Sequence, residues 1–233
     1  MLTRLMQRLW DAAERDYRAR LLSVLPTNFS GVLLDLGCDD GAWTDELRRR
    51  LQIPPEHVQG LELVPERAEL ARARGFDVRV GDLDARWPFD DGAVDLVHAN
   101  QVLEHVHRLD HFAGEVLRVL RPGGRAVVCT ENLASWHNVA ALALGYQPFS
   151  LTNVSNVRPI GNRFALHAGE PPGRSSWQHV HVLTLTALRD LFDAHGFAVE
   201  EAWASGYHPL PGRLARLDPR HGHFIGLVVR PCS

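Results

Sequence analysis

The sequence contains no lysine; all 25 basic residues are arginine. That removes a catalytic lysine or a Schiff base from the chemistry open to it. Cysteine is scarce as well, and Cys38, Cys129 and Cys232 form no C-x-x-C pair. This argues against a metal ribbon or a disulfide framework and for reduced thiols in a cytoplasmic protein. Missing too is any apolar run long enough to cross a membrane. The first 22 residues carry Leu2, Leu5, Met6 and Leu9 but are interrupted by Asp11, Glu14 and Asp16, so they read as an amphipathic helix packed on the domain rather than a signal or transit peptide. There is no repeat and no low-complexity tract. The one basic run, Arg48-Arg49-Arg50, would be spread around a helix, and a net charge of -3 gives no general attraction to nucleic acid or anionic lipid. Neither nucleic acid nor a membrane is an expected partner.

What is present is an alternation. Strand-like runs at Val32–Leu36, His57–Glu62, Phe76–Val80, Val94–Ala99 and Arg125–Thr130 are separated by helical segments at Trp43–Leu51, Pro65–Arg74 and Leu109–Leu120. Pro65 opens one helix and Gly75 closes it; Arg121-Pro122-Gly123-Gly124 closes another. The pattern predicts an α/β fold with a parallel sheet, helices on both faces and ligands beyond the carboxyl ends of the strands. With 233 residues, a single domain over 1–233 is expected. Within it, residues 1–30 form an N-terminal helical cap, and residues 132–178 interrupt the alternation as a lid or acceptor-binding insertion. The scaffold resumes with a helix at Thr184–His195 and strands near Phe197–Ala202 and Phe224–Val229.

The stretch VLLDLGCDDGAW, Val32 to Trp43, is a buried strand running through a glycine turn into a helix. Such turns usually hold an anion, yet Asp39 and Asp40 stand at this tip. A dinucleotide fingerprint would need glycine at Asp39 and Ala42, and the G-K-[ST] ending of a phosphate loop is absent. The pattern points to a nucleotide-sized ligand without phosphates, carrying positive charge. Acids also end three successive strands: Asp35, Glu62 and Asp82. These would meet a cationic group, ribose hydroxyls and a base.

In this combination the chain resembles the Rossmann-like, class I S-adenosylmethionine-dependent methyltransferases, over roughly Val32–Thr130 and His179–Val229. DLGCDDG is similar to that family's first motif, GLE (Gly60–Glu62) to its ribose-binding acid, GDL (Gly81–Leu83) to its adenine turn, and LRPGG (Leu120–Gly124) to its lead into the fifth strand. The resemblance implies an antiparallel last strand and S-adenosylmethionine as cofactor. It implies that Asp35, Gly37 and Gly41, with Asp39 in the same turn, line the methionine end. Glu62 would take the ribose hydroxyls, Asp82 the adenine amine and Leu83 its ring face, with Asn100 beside the transferable methyl. Many relatives have glycine where Asp39 stands. Asp39 and Asp40 are also read as caps of the following helix.

Methyl transfer to a hydroxyl needs a base, or a metal that lowers the hydroxyl's pKa. His105 and His179, with Glu104, are the candidate catalytic residues. Glu104-His105 also resembles the E-x-x-E-H motif of some relatives, with Gln101 in place of its first acid, so Glu104, His105 and His179 could hold a divalent ion such as Mg. The alternative reading is that the Glu-His pair only orients its loop. Glu131 and Asn132 are candidate acceptor contacts; His98 and His181 read as structural, and His137 and His167 stay open. The insertion mixes Trp136, Tyr146, Phe149 and Trp177 with Asn138, Asn153, Asn156 and Asn162, faces and amides suited to a sugar. ENLASWHNVAALALGYQPFS further resembles a stretch of methyltransferases from glycan and polysaccharide clusters. A sugar or other small hydroxyl acceptor is thus expected, against N- or C-methylation of a small molecule or a cofactor-binding partner protein with little catalysis. The N-terminal helix and the insertion are the surfaces on which two chains could pair as a homodimer.

Overall fold

The computed structural model describes residues 2–155, 157–165, 178–207 and 212–232. Helix α1 (Leu2–Val24) leads into β1 (Leu33–Leu36), α2 (Ala42–Leu51), β2 (Val58–Glu62), α3 (Pro65–Arg72) and β3 (Asp77–Val80). These are followed by β4 (Val94–Asn100), α4 (Leu109–Val119), β5 (Leu120–Glu131) and α5 (Trp136–Ala143). The chain closes with α6 (Leu185–Ala194), β6 (Phe197–Ser205) and β7 (Phe224–Pro231). The described strands form one sheet in the order β3-β2-β1-β4-β5-β7-β6. β1 to β5 pair in parallel, and β7 is antiparallel to both β5 and β6. This is the α/β, Rossmann-like arrangement expected from the sequence, with the last strand inverted.

Burial on both faces explains why β1 reads as a continuous apolar run rather than an alternating one. Successive residues fall into opposite cores. Leu34 and Leu36 join Val97, Ala99 and Val128 beneath Phe112 and Val116 of α4 and Leu188 and Phe192 of α6. Leu33 joins Leu96, Val127 and Cys129 beneath Leu47 and Leu51 of α2, Ala68 and Ala71 of α3, and Tyr17 and Leu21 of α1. Helix α1 is therefore part of the second core, where the sequence placed an amphipathic cap. All three cysteines are free; Cys38 and Cys129 are buried and Cys232 is exposed.

One boundary differs from the sequence reading. The Arg121–Gly124 turn does not precede the fifth strand but lies inside it: Leu120 already pairs with Val94, and the register shifts before Leu96 meets Arg125. Gly123, at φ 83°, makes the bend without ending the pairing. Strand order reverses between β1 and β4, and that switch point is where such sheets bind their ligands. No described helix is long and apolar enough to cross a membrane.

Candidate functional site

The turn after β1 departs from ordinary backbone at three alternate positions. Gly37 and Gly41 have φ of 68° and 74°. At Gly37 a Cβ would also lie 2.4 Å from Val102 Cγ1, so only glycine fits. Asp39 takes φ 49°, the left-handed region that aspartate tolerates better than most residues, which is how the turn keeps its path without the glycine many relatives have there. The two acids do different work. Asp40 Oδ1 accepts from Ala42 N at 2.9 Å and caps α2, whereas Asp39 pairs with the Arg67 guanidinium. Arg67 also lies 3.3 Å from Asp40 and offsets much of the negative charge at the tip.

Two cavities meet at Gly37 and Asp39. The larger, about 560 Å³, is lined by Glu62, Asp82 and Leu83 together with Gln101, His105 and Val180. Glu62 is buried, and its two oxygens accept from Asp39 N and Val64 N at 2.9 Å each. A carboxylate has about four acceptor positions, so two remain for a ligand. The smaller cavity, about 280 Å³, is lined by Asp35, Trp43, Glu46, His98, Asn100 and, from α1, Arg18. Four buried polar atoms of these residues have no protein partner: Arg18 Nε, Trp43 Nε1, His98 Nε2 and Asn100 Oδ1. Unpaired polar atoms are costly in a finished core, so four of them around one cavity make it a candidate ligand site.

Asp35 lines that cavity with both of its oxygens already engaged. Its carboxylate accepts from Thr44 Oγ1 on one oxygen and from His98 Nδ1, at 2.6 Å, on the other. The Nδ1 side of His98 is taken by Asp35, and Nε2 is the ring nitrogen left toward the cavity. His98 is thus not the satisfied core residue expected from its place within β4; one nitrogen is spoken for and the other lines the cavity. Asn100, expected just past β4, is the strand's last residue.

Glu104, His105 and His179 come together, with one ligand-type atom from each within 4.8 Å of the others. His105 Nδ1 lies 2.9 Å from the Gln178 carbonyl and His179 Nδ1 lies 2.6 Å from the Ser150 carbonyl. Carbonyls only accept, so both rings hold their proton on Nδ1 and present Nε2 as the basic nitrogen. The rings pack edge to face at 5.0 Å. Burial pushes the His105 pKa down to about 4, against the pull of the Gln178 carbonyl and helped by the nearby His179, so this imidazole is neutral at physiological pH. Glu104 is fully buried and accepts from Thr130 Oγ1 at 2.8 Å. Burial pushes its pKa up to about 7; His179 opposes that rise and Glu131 adds to it.

Several expected acceptor contacts are instead used within the protein. Asn132 donates to the Arg220 and Gly222 carbonyls and accepts from Ala134 N. Asn138 donates to Asn132 O and Ser150 Oγ, and Asn162 donates to Gln147 O. Two of the four amides that suggested a sugar site, Asn138 and Asn162, are thus hydrogen-bonded inside the fold. Glu131 is buried with Oε2 unpartnered, and so keeps an acceptor for a ligand. Asn156, His167, Trp177 and the Gly169–Gly173 run lie outside the described residues. The sequence reading missed Arg18 and Trp43, whose side chains meet across α1 and α2 with the guanidinium 5.1 Å from the indole. Arg18 also pairs with Glu14 one turn earlier at 2.9 Å, so its sequence context reads as an ordinary surface ion pair.

A family model described as a methyltransferase domain matches residues 6–202. A probable S-adenosylmethionine-dependent methyltransferase of Mycolicibacterium smegmatis is 30% identical over 198 residues, 83% of this chain and 61% of that protein. A ubiquinone biosynthesis O-methyltransferase of Caulobacter vibrioides is 28% identical over 206 residues, 87% of this chain and 73% of the relative. The chain spans between 35% and 61% of the length of the first two curated relatives it matches. Among solved structures, an S-adenosylmethionine-dependent methyltransferase from Mesorhizobium loti superposes with a TM-score of 0.60 at 20% identity, covering 95% of this chain and 99% of the other. A strand-end acid on β2, a glycine turn without phosphate-loop residues and this sheet order agree with those matches, and the chain belongs to the class I S-adenosylmethionine-dependent methyltransferases.

Proposed function

We propose that the protein methylates a hydroxyl group of a small acceptor, with His179 taking the hydroxyl proton. The observation that carries this reading is the Glu104, His105, His179 cluster at the carboxyl end of the sheet, whose two imidazoles are fixed with Nε2 as the basic nitrogen. The names of relatives that act on oxygen, such as the Caulobacter enzyme, support it.

The unpaired atoms of the smaller cavity fit the methionine end of the cofactor. Arg18 would face its carboxylate; His98 Nε2 and Asn100 Oδ1 would accept from its ammonium. In the larger cavity Glu62 would take the ribose hydroxyls, Asp82 the adenine amine and Leu83 the ring. When bound, the cofactor supplies a methyl group on a positively charged sulfur. The chain's own task is then to hold the acceptor oxygen in line, exclude water and remove one proton. His179 accepts that proton at Nε2, and the Glu104 carboxylate offsets the positive charge formed there. The described residues of the segment after β5 are read as the cover on the acceptor side, since Ser150 among them orients His179.

The donor set does not fit the Mg suggested by the E-x-x-E-H likeness. Mg takes oxygen ligands, whereas two imidazoles and one carboxylate suit softer ions. No step here is routed through a metal.

Transfer of labelled methyl to a panel of alcohols, sugars, phenols and amines, with and without chelator, tests the proposal. Label on hydroxyls regardless of chelator is expected; label confined to amines overturns it. The cofactor assignment has its own test. Glu62→Gln removes a charged acceptor and is expected to weaken S-adenosylmethionine binding about thirtyfold by calorimetry, with an unchanged circular dichroism spectrum. Affinity within a factor of about two of the parent would remove Glu62 from the site.

A further inference from the structure

From Asn132 to Gly169 the sequence contains no aspartate or glutamate, although the whole chain has 28. Its only charged side chains are Arg158 and Arg163. The described part of this segment also concentrates exposed aliphatic residues. Leu144 and Val157 are 74% and 77% exposed, and Leu142, Val154, Ile160 and Phe164 are exposed as well. Ile160 and Phe164 belong to one bonded unit with the loop that follows Leu144. Gln147 N donates to Gly161 O, Ile160 N to Thr152 O and Asn162 Nδ2 to Gln147 O, while the rings of Tyr146 and Phe164 meet at 5.5 Å. Arg163 lies over the Phe164 ring at 4.9 Å, which holds its guanidinium beside the apolar patch.

Against the expectation from the net charge of -3, which averages over the whole chain, we propose that this locally basic unit is a docking face for an anionic lipid surface. Exposed aliphatic side chains on loops, accompanied by arginine and free of acids, match what an interfacial segment needs: apolar area to enter the headgroup boundary and cations to meet phosphate. A protein partner fits less well, because tight protein interfaces centre on aromatic anchors seated in pockets, and five of the six exposed side chains named here are aliphatic. A second copy fits less well again. An isologous contact would bring Arg158 and Arg163 against themselves with no acid on the segment to neutralise them. Ser150, in the same segment, orients His179, so docking sets the acceptor side of the site against the lipid. Resting on the reading above, this favours an amphiphilic acceptor held in that surface.

Cosedimentation of the full chain with vesicles of phosphatidylcholine containing phosphatidylglycerol, and with phosphatidylcholine alone, tests the docking face without cofactor or acceptor. A failure of methyl transfer therefore leaves this result readable. Binding only to the anionic vesicles, weakened by salt, is expected. The pair Leu144→Glu and Val157→Glu should lower it at least about tenfold, and Leu217→Glu, equally exposed but elsewhere, should leave it unchanged. Absence of vesicle binding, full binding by the paired variant, or self-association that the paired variant abolishes would each overturn the proposal.

Discussion

His179→Ala is expected to lower kcat about a thousandfold while leaving affinity for S-adenosylmethionine nearly unchanged, because a positioned general base contributes about two to four orders of magnitude and this one lines no part of the methionine-end cavity. The separation of the two readouts is what gives the experiment its force. A residue that merely propped the cavity open would move cofactor affinity and rate together. The Ser150 carbonyl fixes the proton of His179 on Nδ1 at 2.6 Å. His179→Gln can retain that contact through its amide yet offers no basic nitrogen, so it should be as slow as the alanine variant. His105→Ala should cost less, since burial makes that imidazole a weak base, with a pKa near 4. A His179→Ala enzyme within about tenfold of the parent would transfer the base role elsewhere.

The fold was legible in the sequence because the signals that define it are local. Short apolar strand runs, helices punctuated by Pro65 and Gly75, and a glycine turn after β1 each depend on neighbours in the chain. Where the reading slipped, the deciding contact was distant. The Arg121–Gly124 turn looks like a stop, yet it continues β5 because Val94 is there to pair with Leu120. His98 looks like core filling until Asp35, 63 residues away, claims one nitrogen and leaves the other facing a cavity. The amides of Asn132 and Asn138 suggest a binding surface, but loop carbonyls at Arg220 and Gly222 and the hydroxyl of Ser150 use them first. Composition tells which groups are present. Which of them remain unpaired is a property of the packed chain, and unpaired groups are what a site is made from.

Glu104→Gln carries the second large effect, and it runs in opposite directions for stability and rate. The carboxyl's pKa is raised by burial from 4.5 to about 7. A raised acid favours the folded state while it is protonated; that contribution is fully present below the unfolded pKa and lost as pH climbs through 7. Replacing Glu104 with a neutral isostere removes the cost of burying the charge. The variant should therefore be more stable than the parent at about pH 8, by on the order of 3 kcal/mol, and the difference should close toward about pH 5. Urea midpoints at both pH values measure this. Thr130 can still donate to the glutamine carbonyl, so that contact is kept, while any cost of placing the new amide N–H groups is the same at both pH values and cancels in the comparison. Activity should move the other way, with kcat at about pH 8 falling roughly tenfold because the imidazolium formed at His179 loses its counter-charge. Equal destabilisation at both pH values would mean that Glu104 serves the fold alone. A stabilised but slower variant would mean that the protein keeps an unfavourable buried charge because its reaction uses it.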